Sequence, residues 1–451
     1  MTKTKAALLI FFVSFIVYSN SLAGEFVWDD QYFVVKNTAI RSLKTPSAFF
    51  TNPTTAAFGG LSEDVYRPLT TLSYAVNYRF NKLNSFGYHL VNVLLHSANA
   101  ILLFLLLYCI MGDILLSFFA ALFFAVHPIQ TEAVAWISGR SSVQFLLFYL
   151  ASLLLYIKYS RAGKPVFIIL SILSFVVALF SKEMAVTLPL VLILYDAHFE
   201  KKGTVRRNIA AYAPYFILSA FFIMTRAFLL QRVSQCGWWG GGAFFTFISM
   251  TKAAIDYIKI LVFPAKLCAF YYIVPSRSIF DPGVMFSIAA LFCLLVSIPF
   301  IFKRLKILSF AILWFFVTML PVSNIVPLKA IMAERFLYLP SIGFCLAMVI
   351  LMDRGCAALK GKIRSITVLA LTLLIIGYSA KTVARNDEWA RFDSISKSII
   401  AASPSNPWGL VSVGLAEVDR GKYESAIDLF KKAIAVSQIF LLSTVVIRRD
   451  F

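Results

Sequence analysis

Apolar and polar positions fall in long blocks along this chain, without the alternation of a strand or the single stripe of a soluble helix. Lys3 and Lys5 precede an apolar stretch over 6–18, and a polar segment then runs from 24 to about residue 86. Apolar runs follow at 88–111, 114–126, 143–156, 166–180, 184–195, 209–230, 284–302, 307–326, 336–352 and 366–383. Crossing a bilayer takes ~20 apolar residues in a helix, so the shorter runs must draw on flanking polar residues to span. Together with the first segment they predict about eleven crossings of an all-α polytopic membrane protein. Ser21-Leu22-Ala23 would also suit a signal-peptide cleavage site; a further turn through Ala23 makes the first segment long enough to be retained as a span.

The polar blocks set the orientation. Lys158, Arg161 and Lys164; Lys201, Lys202, Arg206 and Arg207; Lys303, Arg304 and Lys306; and Arg354, Lys360, Lys362 and Arg364 fall on the same side as Lys3 and Lys5. By the positive-inside rule that side, with the N-terminus, is cytoplasmic. The stretch 245–263 is apolar enough to cross, but a crossing there would move the Lys303 cluster outside. It is expected to be an interfacial or re-entrant helix ending at Pro264. Within the first polar loop, 69–80 has the spacing of an amphipathic interfacial helix.

After residue 383 the chain turns polar, and 405–437 matches a helix-turn-helix repeat of about 34 residues, the TPR. Gly414, Gly421, Tyr423, Ala426, Phe430 and Ala433 take the small and aromatic positions where its helices cross and turn. The division read from the sequence is therefore a membrane domain over 1–384, with its first outer loop at 24–86; a linker and one repeat over 385–437; and an atypical tail over 438–451, read as cut short or frame-shifted. A solenoid unit cannot bury its own face, so one repeat alone is expected to be marginal.

Composition agrees with the hydropathy pattern. Of 451 residues, 60% are hydrophobic and 14% charged, with mean hydropathy +0.81, which excludes an ordinary soluble domain. The net charge of +20 sits in short clusters between apolar runs, so it is read as membrane orientation with a pull toward anionic lipid or phosphate, and not as nucleic-acid binding. Six cysteines are scattered without CxxC or zinc spacing, and no disulfide framework, thiol chemistry or metal cluster is expected.

The candidate chemistry centres on FVWDDQYFVVKN, residues 26–37, where Asp29 and Asp30 are adjacent in a chain with few charges. A carboxylate at the mouth of a water-poor cleft can accept a proton from an attacking hydroxyl. A solvated acidic turn outside the bilayer is the alternative reading. The same side receives Arg67, His127, Glu132, Arg140, Lys182, Glu183, Glu334 and Arg335, and charges gathered at the ends of membrane helices mark a functional face. Each has a structural reading too: Lys182-Glu183 as an interfacial turn, Glu334-Arg335 as a local ion pair, and His89 and His96 as satisfied helix histidines. Arg67, Arg140, Lys182 and Arg335 are the candidate phosphate partners, since a guanidinium offers a bidentate fork and an ammonium a point charge.

FVWDD, YRPLT, HPIQTEAVAWISGR, FSKEMAVTLP with LYD, and AERFLYLPSIG, in that order and followed by a TPR, resemble the TMTC family, transmembrane and TPR-containing proteins. The likeness covers nearly all of 20–437. It implies a GT-C glycosyltransferase fold related to the protein O-mannosyltransferases, a polyprenyl-phosphate sugar as donor, and a catalytic acid in the first outer loop, where Asp29 and Asp30 lie. It also implies transfer to a protein, glycan or other hydroxyl acceptor inside an ER or bacterial inner membrane, with no cofactor expected, a metal requirement left open, and a repeat able to bind a protein; the basic clusters place that repeat on the non-cytoplasmic side. Family members carry several repeats where this chain shows one. A multi-span transporter or flippase should instead show Gly/Pro-broken helices related by repeat and a polar site at mid-membrane. A TPR scaffold would leave the outer charges replaceable.

Overall fold

The computed structural model describes residues 1–59, 65–200, 208–234, 236–357 and 363–446, and among them every regular element is a helix. The first, α1 (Lys3–Tyr18), starts at Thr2, whose side chain accepts the Lys5 N–H, and runs on through a 3₁₀ turn to Ala23. In the loop that follows, α2 (Pro68–Asn81) buries Thr70, Thr71, Tyr74 and Asn77 and turns Phe80 outward, 80% exposed. Its inward face is thus the polar one.

Helix α3 (Ser85–Met111) is the longest at 27 residues, capped by the Asn84 side chain and ended by Gly112 in the left-handed region. It packs against α1, α4 (Ile114–Val126) and α5 (Arg140–Ala162). His89, Asn92, His96 and Asn99 recur along it at three- and four-residue spacing and are all buried. Their partners include backbone carbonyls near the ends of the neighbouring helices and in the break between them: Asn92 donates to the carbonyls of Trp136 and Ile137, His96 bonds that of Ala125, and Asn99 donates to that of Val143 in the first turn of α5. With no water in a membrane interior, such breaks persist only where side chains satisfy the backbone. The His89 ring is buried against the backbone at Gly24, Glu25 and Ala135.

The chain continues with α6 (Pro165–Ser181), α7 (Leu188–Phe199), α8 (Ile209–Leu230), α9 (Ala243–Val262), α10 (Pro282–Arg304), α11 (Lys306–Met319), α12 (Ser341–Ala357) and α13 (Ile363–Glu388). Six described segments, Lys3–Ala23, Ser85–Met111, Ile137–Ala162, Ile209–Leu230, Pro282–Arg304 and Ser365–Glu388, are long and apolar enough to cross a membrane. A seventh is the pair Ile114–Val126 and Pro128–Val134, bent by 50°. Among the described residues the eleven expected from hydropathy are not confirmed: of the remaining runs, α6 stops before Lys182 with 17 residues, and α7 has 12. The 20-residue α9 is not among the spans; it ends at Phe263 before Pro264 and carries Lys252, Asp256 and Lys259. The chain is a multi-pass, all-α membrane protein.

Three further helices, α14 (Phe392–Ala402), α15 (Pro407–Asp419) and α16 (Tyr423–Val446), follow. α15 and α16 are joined at Gly421, whose φ of 75° suits glycine, and they cross at Gly414, where an added Cβ would lie 2.5 Å from the Phe430 ring. Ala426 and Ala433 are buried in the same crossing, whereas Tyr423 is exposed. α16 runs on to Val446, and the end of the expected atypical tail, 447–451, lies outside the described residues. Ile395 and Ile399 of α14 pack with Trp136 and Trp389, and the Asn406 amide donates to the Phe270 carbonyl, so these helices are docked on the membrane body.

Candidate active site

Ionisable side chains from five separate stretches meet at one end of the helix bundle. The first loop enters it through Trp28, whose φ of 49° is rare for a bulky residue and costs ~1–3 kcal/mol unless the surroundings enforce it. Here they do. The Trp28 ring stands edge-on to Trp136 at 5.6–6.4 Å together with Trp389, and Trp136 and Trp389 stack on each other at 5.6 Å. The indole of Trp136 also donates to the Val27 carbonyl at 3.3 Å.

The two aspartates that follow are placed differently. Asp30 is fully buried; one carboxylate oxygen accepts the Val27 N–H at 2.9 Å, and the other accepts the Ser138 N–H at 2.8 Å and the Ser138 hydroxyl. Burial pushes its pKa up to about 7, against these hydrogen bonds, which lower it. Asp29 is partly exposed, and no hydrogen bond to its carboxylate occurs among the described residues. Burial raises its pKa; the Arg335 guanidinium opposes that, Glu132 adds to it, and Lys329 opposes it more weakly. Adjacent residues thus divide into a clasp that pins the loop and a carboxylate that stands open.

Arg335 faces Asp29 from the segment before α12. Its position is set by Glu132, fully buried, which accepts the Arg335 N–H at 2.6 Å and a guanidinium N–H. The guanidinium lies over the rings of Phe336 and Trp136, 5.3 and 5.7 Å from their centres. Lys182 is buried, donates to the Ser142 hydroxyl at 2.8 Å, and lies within electrostatic reach of both the Arg335–Glu132 and Arg67–Glu183 pairs. Burial first, then Arg67, brings its pKa down to about 7. Arg67 clamps Glu183 with two bonds of 3.0 and 2.6 Å and reaches Ser141 at 3.3 Å. Although burial alone would raise it, Arg67 holds the Glu183 carboxyl well below the usual range.

Three residues singled out from the sequence lie off this centre. Arg140 is fully buried with its donors on Asn92 (2.9 Å), the Tyr88 carbonyl (2.8 Å) and the Ser73 carbonyl (3.5 Å), and it lies over the Tyr74 ring. Each of its three nitrogens has a protein acceptor and the side chain is fully buried, so this guanidinium acts as scaffold. His127 caps the turn after α4, taking the Ile129 N–H on Nδ1 and donating from Nε2 to the Leu261 carbonyl. Glu334 is a buried tie: it accepts from the Cys268 N–H (2.7 Å), the Tyr271 hydroxyl (3.0 Å) and Arg385 (3.3 Å), and burial raises its pKa to about 7 with Arg385 opposing. Ser138, Asn92, Arg385 and the tryptophan cluster were not anticipated. The spacing of His89, Asn92, His96 and Asn99 on one helix face was the available signal for Asn92.

No family profile matches the chain. Individual relatives do: over 95% of its length it is 27% identical to protein O-mannosyl-transferase F38B6.6 of Caenorhabditis elegans and 26% identical to protein O-mannosyl-transferase TMTC1 of Homo sapiens. Over 94% it is 27% identical to protein O-mannosyl-transferase TMTC4 of Mus musculus. The chain is similar to the TMTC proteins over nearly its whole length. It spans 62% of the nematode protein, 55% of the human one and 66% of the mouse one. The similarity to the nematode protein thus runs through nearly all of the membrane body, including the first loop and the segment carrying Glu334 and Arg335.

Proposed function

We propose that this chain is a membrane glycosyltransferase of the TMTC type that moves a sugar, mannose by likeness to its named relatives, from a polyprenyl-phosphate donor to a hydroxyl of a protein or glycan. The reading places the Asp29 end on the non-cytoplasmic face, with the N-terminus cytoplasmic and α14–α16 on the same side as Asp29. It keeps the division into a membrane body over 1–384 and a polar C-terminal region. The observation that carries it is the open Asp29 carboxylate beside an Arg335 guanidinium whose place is fixed by buried Glu132.

Asp29 takes the proton of the acceptor hydroxyl as that oxygen bonds to the anomeric carbon, and the bond from that carbon to the phosphate oxygen breaks, its electron pair leaving on phosphate. A carboxylate with a raised pKa is a stronger base, and general-base assistance contributes about 100- to 10,000-fold. Arg335 and Lys182 offset the charge on the departing phosphate, and Arg67 completes the basic rim. Lys182 and Arg335 already have one protein partner each, which orients them. Asp30 holds the loop and does not take the proton.

The charges gather at one end of the bundle, which favours an interfacial reaction over a mid-membrane transport site. The test is incubation of purified protein in nanodiscs with labelled polyprenyl-phosphate hexoses, scored for transfer or hydrolysis. Mannose transfer that disappears in Asp29→Asn supports the reading; a protein that binds the donor and transfers nothing at any pH overturns it.

A further inference from the structure

An open groove lies along α13, apart from the reaction centre. Leu374, Tyr378 and Lys381, with Leu373 and Gly377 beside them, follow three- and four-residue spacing along this helix and face Phe263 and Met352 across an open groove of about 770 Å3. Leu373 and Phe263 are exposed, 60% and 75%, although the surface around them is concave. The Tyr378 hydroxyl is already engaged with the Val262 carbonyl at 2.9 Å. That leaves an apolar trough with a single cation, Lys381, at one end.

Gly377 is what opens it. A glycine in a helix interior weakens the helix, and the usual reason for one is a close neighbour that a Cβ would strike. A Cβ built at Gly377 meets nothing within 4 Å. The described residues therefore leave this space open.

We infer that the groove holds one anionic phospholipid of the bilayer, an acyl chain lying along α13 and the phosphate at Lys381. The charge supports an anionic lipid: among the described residues Lys381 makes no ion pair, and an ammonium at the end of an apolar trough matches a phosphate joined to a hydrocarbon chain. A sugar donor is the poorer occupant. One turn beyond Lys381, Arg385 is buried between Glu334 and Glu388, and no residue lining the groove belongs to the Asp29 centre. The inference is independent of the transfer reading.

Native mass spectrometry of the purified chain, taken from nanodiscs of phosphatidylcholine with and without phosphatidylglycerol, tests it. The parent should retain one phosphatidylglycerol, and Lys381→Gln should retain it about fivefold less well, the loss of one lysine–lipid attraction. Gly377→Leu should displace it while melting no lower than the delipidated parent, since the new side chain enters open space. A competition arm adds a polyprenyl phosphate. Equal retention by all three proteins overturns the inference, and so does loss of polyprenyl phosphate in place of phosphatidylglycerol from Gly377→Leu.

Discussion

Ser138 donates twice to the same oxygen of Asp30, from its backbone N–H at 2.8 Å and from its hydroxyl, across a sequence separation of 108 residues. This clasp joins the first loop to the break between α4 and α5, and it carries Asp29 into place as the next residue. Ser138→Ala removes one of the donors while the backbone bond remains, and a lost hydrogen bond to a buried acceptor costs about 1–3 kcal/mol. The expected result is a lower melting temperature with donor affinity retained in the folded fraction. An unchanged melting temperature would show that the hydroxyl bond contributes nothing.

The pH dependence of that clasp has a definite sign. Burial holds Asp30 at about 7, above its ordinary value near 3.8, so between those limits the folded protein binds a proton that the unfolded chain does not. The contribution of Asp30 to stability is complete below about 4 and is lost as pH rises through about 7. Melting temperatures of the parent and Asp30→Asn, measured from pH 4 to about 8, should therefore diverge, the parent losing ground to the amide as pH rises. Parallel curves would mean that Asp30 titrates alike in both states.

Much of this arrangement was readable in the sequence, and the reasons for the rest are physical. The all-α membrane class follows from long apolar blocks, and the charges near Asp29 were visible because a membrane chain has few of them. The number of spans was not readable, because hydropathy cannot tell a crossing helix from one stopped by Lys182 or bent at His127-Pro128. Nor could residue type separate Arg140 from Arg335, which look alike as guanidiniums at helix ends. What separates them is the buried polar face of α3, where Asn92 takes the Arg140 Nε, a contact between residues 48 apart. The division of labour between Asp29 and Asp30 likewise depends on Ser138, which no local motif announces.

Those two arginines should respond differently to truncation. Arg140→Ala leaves Asn92 and the Tyr88 carbonyl without their donor inside the protein, a loss of at least ~3 kcal/mol, and it should express poorly or melt early. Arg335→Ala leaves the buried Glu132 without its guanidinium partner and should lower both turnover and the melting temperature; Arg335→Lys, which keeps a cation beside Glu132, should restore the melting temperature more than the turnover, because the ammonium lacks the bidentate fork. If Arg335→Ala turns over like the parent, Arg335 is not the phosphate partner.

The proposed orientation is open to direct labelling. Lys36 in the first loop and Lys422 in the C-terminal helix pair are both exposed, so a cysteine at either position can be reached from its own side without disturbing the core. In sealed vesicles of known orientation, a membrane-impermeant maleimide should label Lys36→Cys and Lys422→Cys from the same, non-cytoplasmic side. Labelling of the two from opposite sides would break the arrangement in which α14–α16 sit at the Asp29 end.

The sharpest prediction concerns Asp29 against Asp30. Replacement of a carboxylate by its amide keeps shape and most hydrogen bonds but removes proton acceptance. Asp29 has no hydrogen bond to its carboxylate among the described residues, so Asp29→Asn should insert and melt like the parent and bind the lipid donor unchanged. Its transfer rate should fall by about 100- to 10,000-fold, in kcat and not in the donor KM. Asp30→Asn puts an amide NH2 or a single acceptor where two oxygens now receive three donors, so its defect should be in the folded yield, with the folded fraction keeping most of its kcat. The reverse pattern, with Asp30→Asn folded and inactive and Asp29→Asn active, would move the base by one residue and require the loop to rearrange on binding donor. Parental transfer by both variants, and by the double variant, would remove the aspartates from the chemistry and with them the main support for a glycosyl transfer at this end of the bundle.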